Sequence, residues 1–164
     1  MKLIFKILFL LSLQAGFAQK SEIDWMDFET LDAALTVQPK PVFIYFNADW
    51  CVYCKKMERN AFRDPEVISL LNKKFYAVKM NAESTDEIRF DGQTFRNVQA
   101  KTMRNGIHEL PLLLASRKDQ KFTLPALLLL DQNFQIKLRS FQYLTTAELL
   151  KFLAKIDKKT TQRN

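Results

Sequence analysis

Apolar residues at Trp25, Phe28, Leu31, Ala34 and Leu35 recur at the spacing of one helical face, which predicts a helix across "SEIDWMDFETLDAAL". The next run, "KPVFIYFNA" (40–48), is unbroken, β-branched and aromatic. It is too short for a helix and bounded by Pro41, so it predicts a strand buried on both faces. Cys51 and Cys54 follow at its C-terminal end, where a new helix begins and runs to about Arg59. Asp64-Pro65 reads as an N-cap with proline in the first helical position, and "EVISLLNKK" completes that helix. "KFYAVKMNA" (74–82) predicts a second strand, and Asp91-Gly92 between two alternating runs predicts a hairpin. "NGIHELPLLLASRK" predicts a helix with Pro111 near its first turn. Strands over 122–131 and 134–141, then a helix capped by Thr145 or Thr146, close the pattern.

Strands that alternate with helices and end in an antiparallel pair predict an α/β fold, a mixed sheet covered by helices on both faces. A chain of 164 residues is one domain's worth and buries a core without staples. Its composition, 48% hydrophobic and 26% charged, is that of an ordinary globular protein. With glycine only at Gly16, Gly92 and Gly106 there is no Gly-rich phosphate loop.

The first residues break from this pattern. Lys2 and Lys6 form a basic start, Ile7 to Leu13 an apolar stretch, and Gly16-Phe17-Ala18 a small-x-small cleavage site. Roughly a dozen apolar residues fall short of the ~20 that span a bilayer. The expectation is a signal peptide over 1–18, a domain over 19–157 and a basic tail over 158–164. No cysteine follows the apolar stretch to take a lipid, and the protein is expected in the periplasm or secreted from a bacterium. The formal charge of +7 includes the two leader lysines, so the remainder carries +5. No basic stripe interleaved with aromatics lies on one element, which argues against nucleic acid and for a solvated basic surface.

The cysteine pair admits three readings. Structural zinc needs four N or S ligands, and the chain offers Cys51, Cys54 and one distant histidine, His108. A structural disulfide suits an exported protein, but this one would close a loop of only two residues and restrict the unfolded chain little. A redox couple explains the placement best. A cysteine after a buried strand sits at a helix N-terminus, where free N–H groups and the helix dipole favour the thiolate. Cys51 would then be the exposed nucleophile, and Cys54, one turn deeper, would resolve the mixed disulfide. Lys55 and Lys56 add positive charge nearby.

The stretches "VFIYFNADWCVYCKKME", "FRDPEVISLLNKKFYAVKMNAE" and "LPALLLLDQNFQIKLRSF" resemble thioredoxin-fold proteins. Among these the chain is most similar to the thioredoxin-like reductant domain of periplasmic disulfide-interchange transporters and to secreted bacterial thioredoxin-family proteins. The resemblance covers about 22–156, with 84–121 longer than in thioredoxin. It implies a thioredoxin-like three-layer α/β/α sandwich with a central mixed sheet and an extended middle insertion. It also implies that Trp50 flanks the nucleophile, Cys51 attacks and Cys54 resolves. Leu124-Pro125 matches the family's cis-proline, which faces the cysteines and leaves the Leu124 backbone free to pair with an extended substrate.

Two departures from thioredoxin stand out. Its buried aspartate on the strand before the cysteines is replaced by Tyr45, whose phenol is a poor base at neutral pH. Glu58 matches an acid of the transporter domains and lies four residues after Cys54, on the same helix face, where it could accept the resolving cysteine's proton. Val52-Tyr53 replaces Gly-Pro, and Tyr53 would shape the docking surface. There is no histidine between the cysteines, as strong oxidants of the DsbA type have, which favours a reductase.

The expected protein is therefore a monomeric thiol:disulfide oxidoreductase that reduces disulfides of exported proteins. It would be re-reduced by a membrane electron transporter and need no cofactor or metal. An oxidase or isomerase, or a binding module with an inert disulfide, are the alternatives. His108 reads as a helix-capping or surface residue, and the middle insertion as either a partner contact or a cover over one side of the site.

Overall fold

A computed structural model describes residues 22–156. The expected leader and basic tail lie outside them. Five strands form the main sheet: β1 (Trp25–Met26), β2 (Val42–Asn47), β3 (Tyr76–Asn81), β6 (Ala126–Leu130) and β7 (Ile136–Ser140). Their order is β1-β3-β2-β6-β7; β3 lies parallel to β1 and β2, while β6 runs antiparallel to β2 and β7 antiparallel to β6. The helices are α1 (Phe28–Val37), α2 (Val52–Arg59), α3 (Pro65–Lys74), α4 (Glu109–Ala115) and α5 (Thr146–Leu153). This is the three-layer mixed α/β sandwich expected from the sequence.

The unbroken apolar strands follow from burial on both faces. On one face Phe43, Tyr45, Leu127 and Leu129 pack with α2, α3 and α5. On the other Val42, Ile44, Phe46, Leu128 and Leu130 pack with α1 and α4. Because successive side chains of a strand alternate, every residue from Val42 to Phe46 is fully buried. The central strands are thereby held rigidly, and the cysteines follow directly at the end of β2.

The first helix differs from expectation. Trp25 does not lie on it but on β1, paired with Ala77. The helix starts at Phe28, after Asp27 caps it by accepting from the Thr30 N–H at 2.7 Å. Trp25 sits three residues before Phe28, so a strand residue mimicked the helical spacing; the capping aspartate between them was the overlooked stop. The Asp64, Pro65 and Thr145 caps fall as expected, the last as a reciprocal capping box with Glu148.

The hairpin of β4 (Ile88–Phe90) and β5 (Gln93–Phe95) turns at Asp91 and Gly92, both with positive φ (50° and 68°), the backbone of a two-residue primed turn. Phe90 packs edge-on against Phe28, with ring centroids 5.3 Å apart, within the core on the face opposite α2. The Arg89 and Asp91 amides donate to Glu29 and Asp32 on α1. This part of the middle insertion thus covers the face of the sheet opposite α2.

His108 is fully buried and caps α4 with its own ring: Nδ1 accepts from the Leu110 N–H at 3.2 Å. Nε2 therefore carries the proton and donates to the Asp86 carbonyl at 3.1 Å. Burial lowers its pKa below the usual 6.5, against smaller opposing effects from Asp86 and Glu109. Above pH ~6.5 neither the folded nor the unfolded state holds the proton, and the cap is intact. As pH falls below that value the unfolded chain takes the proton first, so stability declines by up to about 1.4 kcal/mol per pH unit until the folded-state pKa is reached. His108→Asn keeps a capping side chain and is expected to flatten this loss. Thermal melts of both proteins from pH 7.5 to 5 check it: equal pH slopes would exclude His108 as the source.

Candidate active site

β2 delivers the site and α2 shapes it. After Asn47 the chain turns through Ala48, Asp49 and Trp50, and the Cys51 N–H donates to the Ala48 carbonyl at 3.0 Å. Cys51 is the N-cap of α2, its extended backbone directing Sγ to accept from the Cys54 N–H at 3.2 Å. That bond and the end of the helix dipole bring partial positive charge beside the Cys51 sulfur, the environment that favours a thiolate. The two cysteines are joined in a disulfide.

Contrary to the expected exposure of Cys51, both cysteines are buried, at 2% and 1% exposure. The Cys51 sulfur turns inward to the Cys54 amide and sulfur, and both residues join the core cluster of α2, α3 and α5. Exposure passes to their neighbours: Trp50, Val52 and Tyr53 are 57%, 72% and 60% exposed. Tyr53 lies against Tyr143, with ring centroids 6.3 Å apart, and the Lys56 ammonium stands 4.5 Å over the Tyr143 ring.

The register brings the second chain segment to the cysteines. Ala126 pairs with Phe46, so Pro125 falls beside the end of β2, just before the cysteine turn. Pro125 is buried, the Leu124–Pro125 peptide is cis, and Leu124 is half-buried against both core clusters.

Glu58 lies on α2, four residues after Cys54. Its Oε1 accepts from the Tyr45 hydroxyl (3.4 Å) and the Asn47 amide (3.3 Å), and pairs with the Lys79 ammonium at 2.8 Å. A cleft lined in part by Trp25, Phe62, Arg63 and Lys79 opens onto this carboxylate, whose side chain is 32% exposed. The Tyr45 phenol is held above its ordinary pKa by burial first and by the Glu58 charge second, so it stays protonated and donates.

Three residues of this site escaped the sequence reading: Lys79, Asn47 and Glu83. Lys79 stands opposite Tyr45 in the β2–β3 register, between the apolar Val78 and Met80, and a charge at that position was the available signal. Glu83 accepts from the Trp50 indole N–H at 2.7 Å and from the Asn105 side chain at 3.0 and 3.2 Å. Asn105 belongs to a tightly built loop. Buried Asn97 donates to the carbonyls of Glu83, Ser84 and Gly106, and a Cβ at Gly106 would run into the backbone of Gln99 and Ala100. Through Glu83 this portion of the insertion fixes the active-site tryptophan. No local sequence pattern announces such a contact.

Among the described residues no group of three or more His, Cys, Asp or Glu side chains is arranged to hold a metal. No described helix is long and apolar enough to cross a membrane.

A mixed sheet with a CxxC disulfide at the strand-to-helix turn defines a thioredoxin-fold, oxidoreductase-like protein. A family model described as Thioredoxin-like matches residues 24–114, and the chain belongs to that family. It is 44% identical over 43 residues to the thiol:disulfide interchange protein DsbD of Pectobacterium atrosepticum, a stretch covering 26% of this chain and 8% of that protein. In structure it is similar to a thioredoxin from Thermus thermophilus (TM-score 0.59, 20% identity, 84% of this chain and 89% of that one). It is also similar to the DsbH oxidoreductase (TM-score 0.56, 17% identity, 92% of each chain). At these identities the structural neighbours establish the fold.

Proposed function

We propose that the protein is an exported protein-disulfide reductase, kept reduced by a membrane electron transporter. The observation that carries this reading is the Cys51 sulfur at the N-terminus of α2, accepting from the Cys54 N–H. In the reduced protein Cys51 is the thiolate and attacks one sulfur of a substrate disulfide. The substrate S–S bond breaks, a Cys51 mixed disulfide forms, and the displaced substrate sulfur takes a proton. Cys54 then gives its proton to Glu58 and attacks the Cys51 sulfur, releasing the second substrate thiol. The departing substrate sulfur takes the proton from Glu58, so the products are a dithiol substrate and the Cys51–Cys54 disulfide; two electrons from the transporter and one proton restore the Cys51 thiolate and the Cys54 thiol.

Exposed Trp50 and Tyr53 would form the docking surface. Pro125 has no N–H, and the Leu124 backbone beside it would pair with an extended substrate segment. Export rests on the leader pattern of residues 1–18, and the substrates are disulfide-bearing proteins of the same compartment.

The measured reduction potential tests the direction. A value near the ~−270 mV of thioredoxin supports a reductase; one near the ~−120 mV of DsbA makes the protein an oxidase instead. Burial of both cysteines favours a second reading, a binding module with an inert disulfide. It requires that the protein fail to accelerate insulin reduction by dithiothreitol.

A further inference from the structure

Asn47 is the last residue of β2 and, two residues beyond Tyr45, lies on the sheet face that α2 covers. Its Nδ2 donates to Glu58 Oε1 at 3.3 Å. The carboxylate settles which way the amide points, because an oxygen there would face an acceptor. The other end of the same amide, Oδ1, is buried with no hydrogen-bond donor among the described residues. A buried acceptor without a partner is uncommon in a folded protein and calls for a physical cause.

The path of α2 supplies one. The helix is tied to Ala48 at Cys51 and to Asn47 and Tyr45 at Glu58, so it runs back along β2. An amide gripping Glu58 with its nitrogen presents its oxygen away from that carboxylate, and Cys54 is the α2 residue one turn earlier on the same face. In the disulfide neither sulfur bears a hydrogen, so neither donates. Reduction creates one such donor, the Cys54 S–H.

Building on the redox reading above, we propose that Asn47 is a positioning residue whose Oδ1 accepts from the reduced Cys54 thiol while its Nδ2 holds Glu58. The acceptor is unpaired in the disulfide and paired in the dithiol, so Asn47 shifts the couple toward the reduced form. It also keeps the proton on Cys54 rather than Cys51 and holds Glu58 beside it to receive that proton during resolution.

The test compares equilibria in glutathione buffers for the wild type, Asn47→Leu, Glu58→Gln and the double variant. Leucine keeps asparagine's branched heavy-atom skeleton and offers no acceptor. The expected result is a tenfold shift of Asn47→Leu toward the disulfide, a fall of about 30 mV in potential, that persists in the Glu58→Gln background. A role in folding alone would weaken both redox forms alike and leave the potential in place. An equilibrium within threefold of the wild type, or a shift that vanishes without Glu58, overturns the proposal. The S–H stretching band of Cys54 in the Cys51→Ala protein gives a second measurement. It should lie at lower frequency than in Cys51→Ala/Asn47→Leu, and coincident bands would also overturn the assignment. If the wild type never equilibrates with glutathione, the reductase reading falls, while the band comparison still decides the role of Asn47.

Discussion

With Cys54 replaced by alanine, the protein is expected to accumulate mixed disulfides through Cys51, whereas Cys51→Ala should accumulate none. The asymmetry follows from position. Cys51 caps α2 and its sulfur accepts the Cys54 N–H, so the helix terminus stabilises negative charge on Cys51. Cys54 lies inside the first turn of the helix rather than at its cap, and both cysteines are buried alike, at 2% and 1% exposure. The expectation is therefore attack on an outside disulfide by Cys51 and release by Cys54. Cys51→Ala should reduce insulin no faster than dithiothreitol alone. Cys54→Ala should complete the first attack and then stall, because no internal thiol breaks the intermediate. Non-reducing gels with thiol-reversible bands, followed by identification of the captured chains, read out both. Equal trapping by the two variants would show that the helix terminus does not select the nucleophile.

The cysteine turn was legible in the sequence because every element that builds it is local. An unbroken apolar strand, a turn, two cysteines one helical turn apart and a proline opening a later strand are all written in consecutive residues. The hairpin was legible for the same reason, since Asp91 and Gly92 supply the left-handed backbone its turn demands. What escaped depends on residues far apart in the chain. Lys79 reaches Glu58 only because β3 lies beside β2 in one register, and Glu83 reaches Asn105 only because the Asn97 loop folds back over it. The burial of Cys51 was missed for a related reason. Its helix-cap position suggests exposure, but the side chain turns inward to the Cys54 amide and sulfur. His108 was half legible: its place at a helix start suggested a cap, and its complete burial came from the Asp86 and Leu110 contacts around it.

Tyr45→Asp, which places an acid where thioredoxin carries one, should destabilise this protein rather than improve it. Tyr45 is fully buried, with its ring 4.8 Å from that of Phe62 and 6.0 Å from that of Trp25. Removing a buried aromatic ring costs about 3–5 kcal/mol. The new carboxylate would stand beside Glu58, a like charge, and Lys79 is already paired with Glu58. Against a typical stability of about 5–15 kcal/mol, the melting temperature should fall by more than about 10 °C. Tyr45→Phe keeps the ring and gives up only the 3.4 Å bond to Glu58, a loss of about 1 kcal/mol or less. Paired thermal melts check both magnitudes, and single-turnover kinetics of mixed-disulfide release check the chemistry. An aspartate variant as stable as the wild type that also resolves faster would return the acid to position 45 and remove Glu58 from the proton step. A large loss in the aspartate variant with a small one in Tyr45→Phe instead marks position 45 as packing, and leaves Glu58, held by Tyr45, Asn47 and Lys79, as the acid we propose for the proton step.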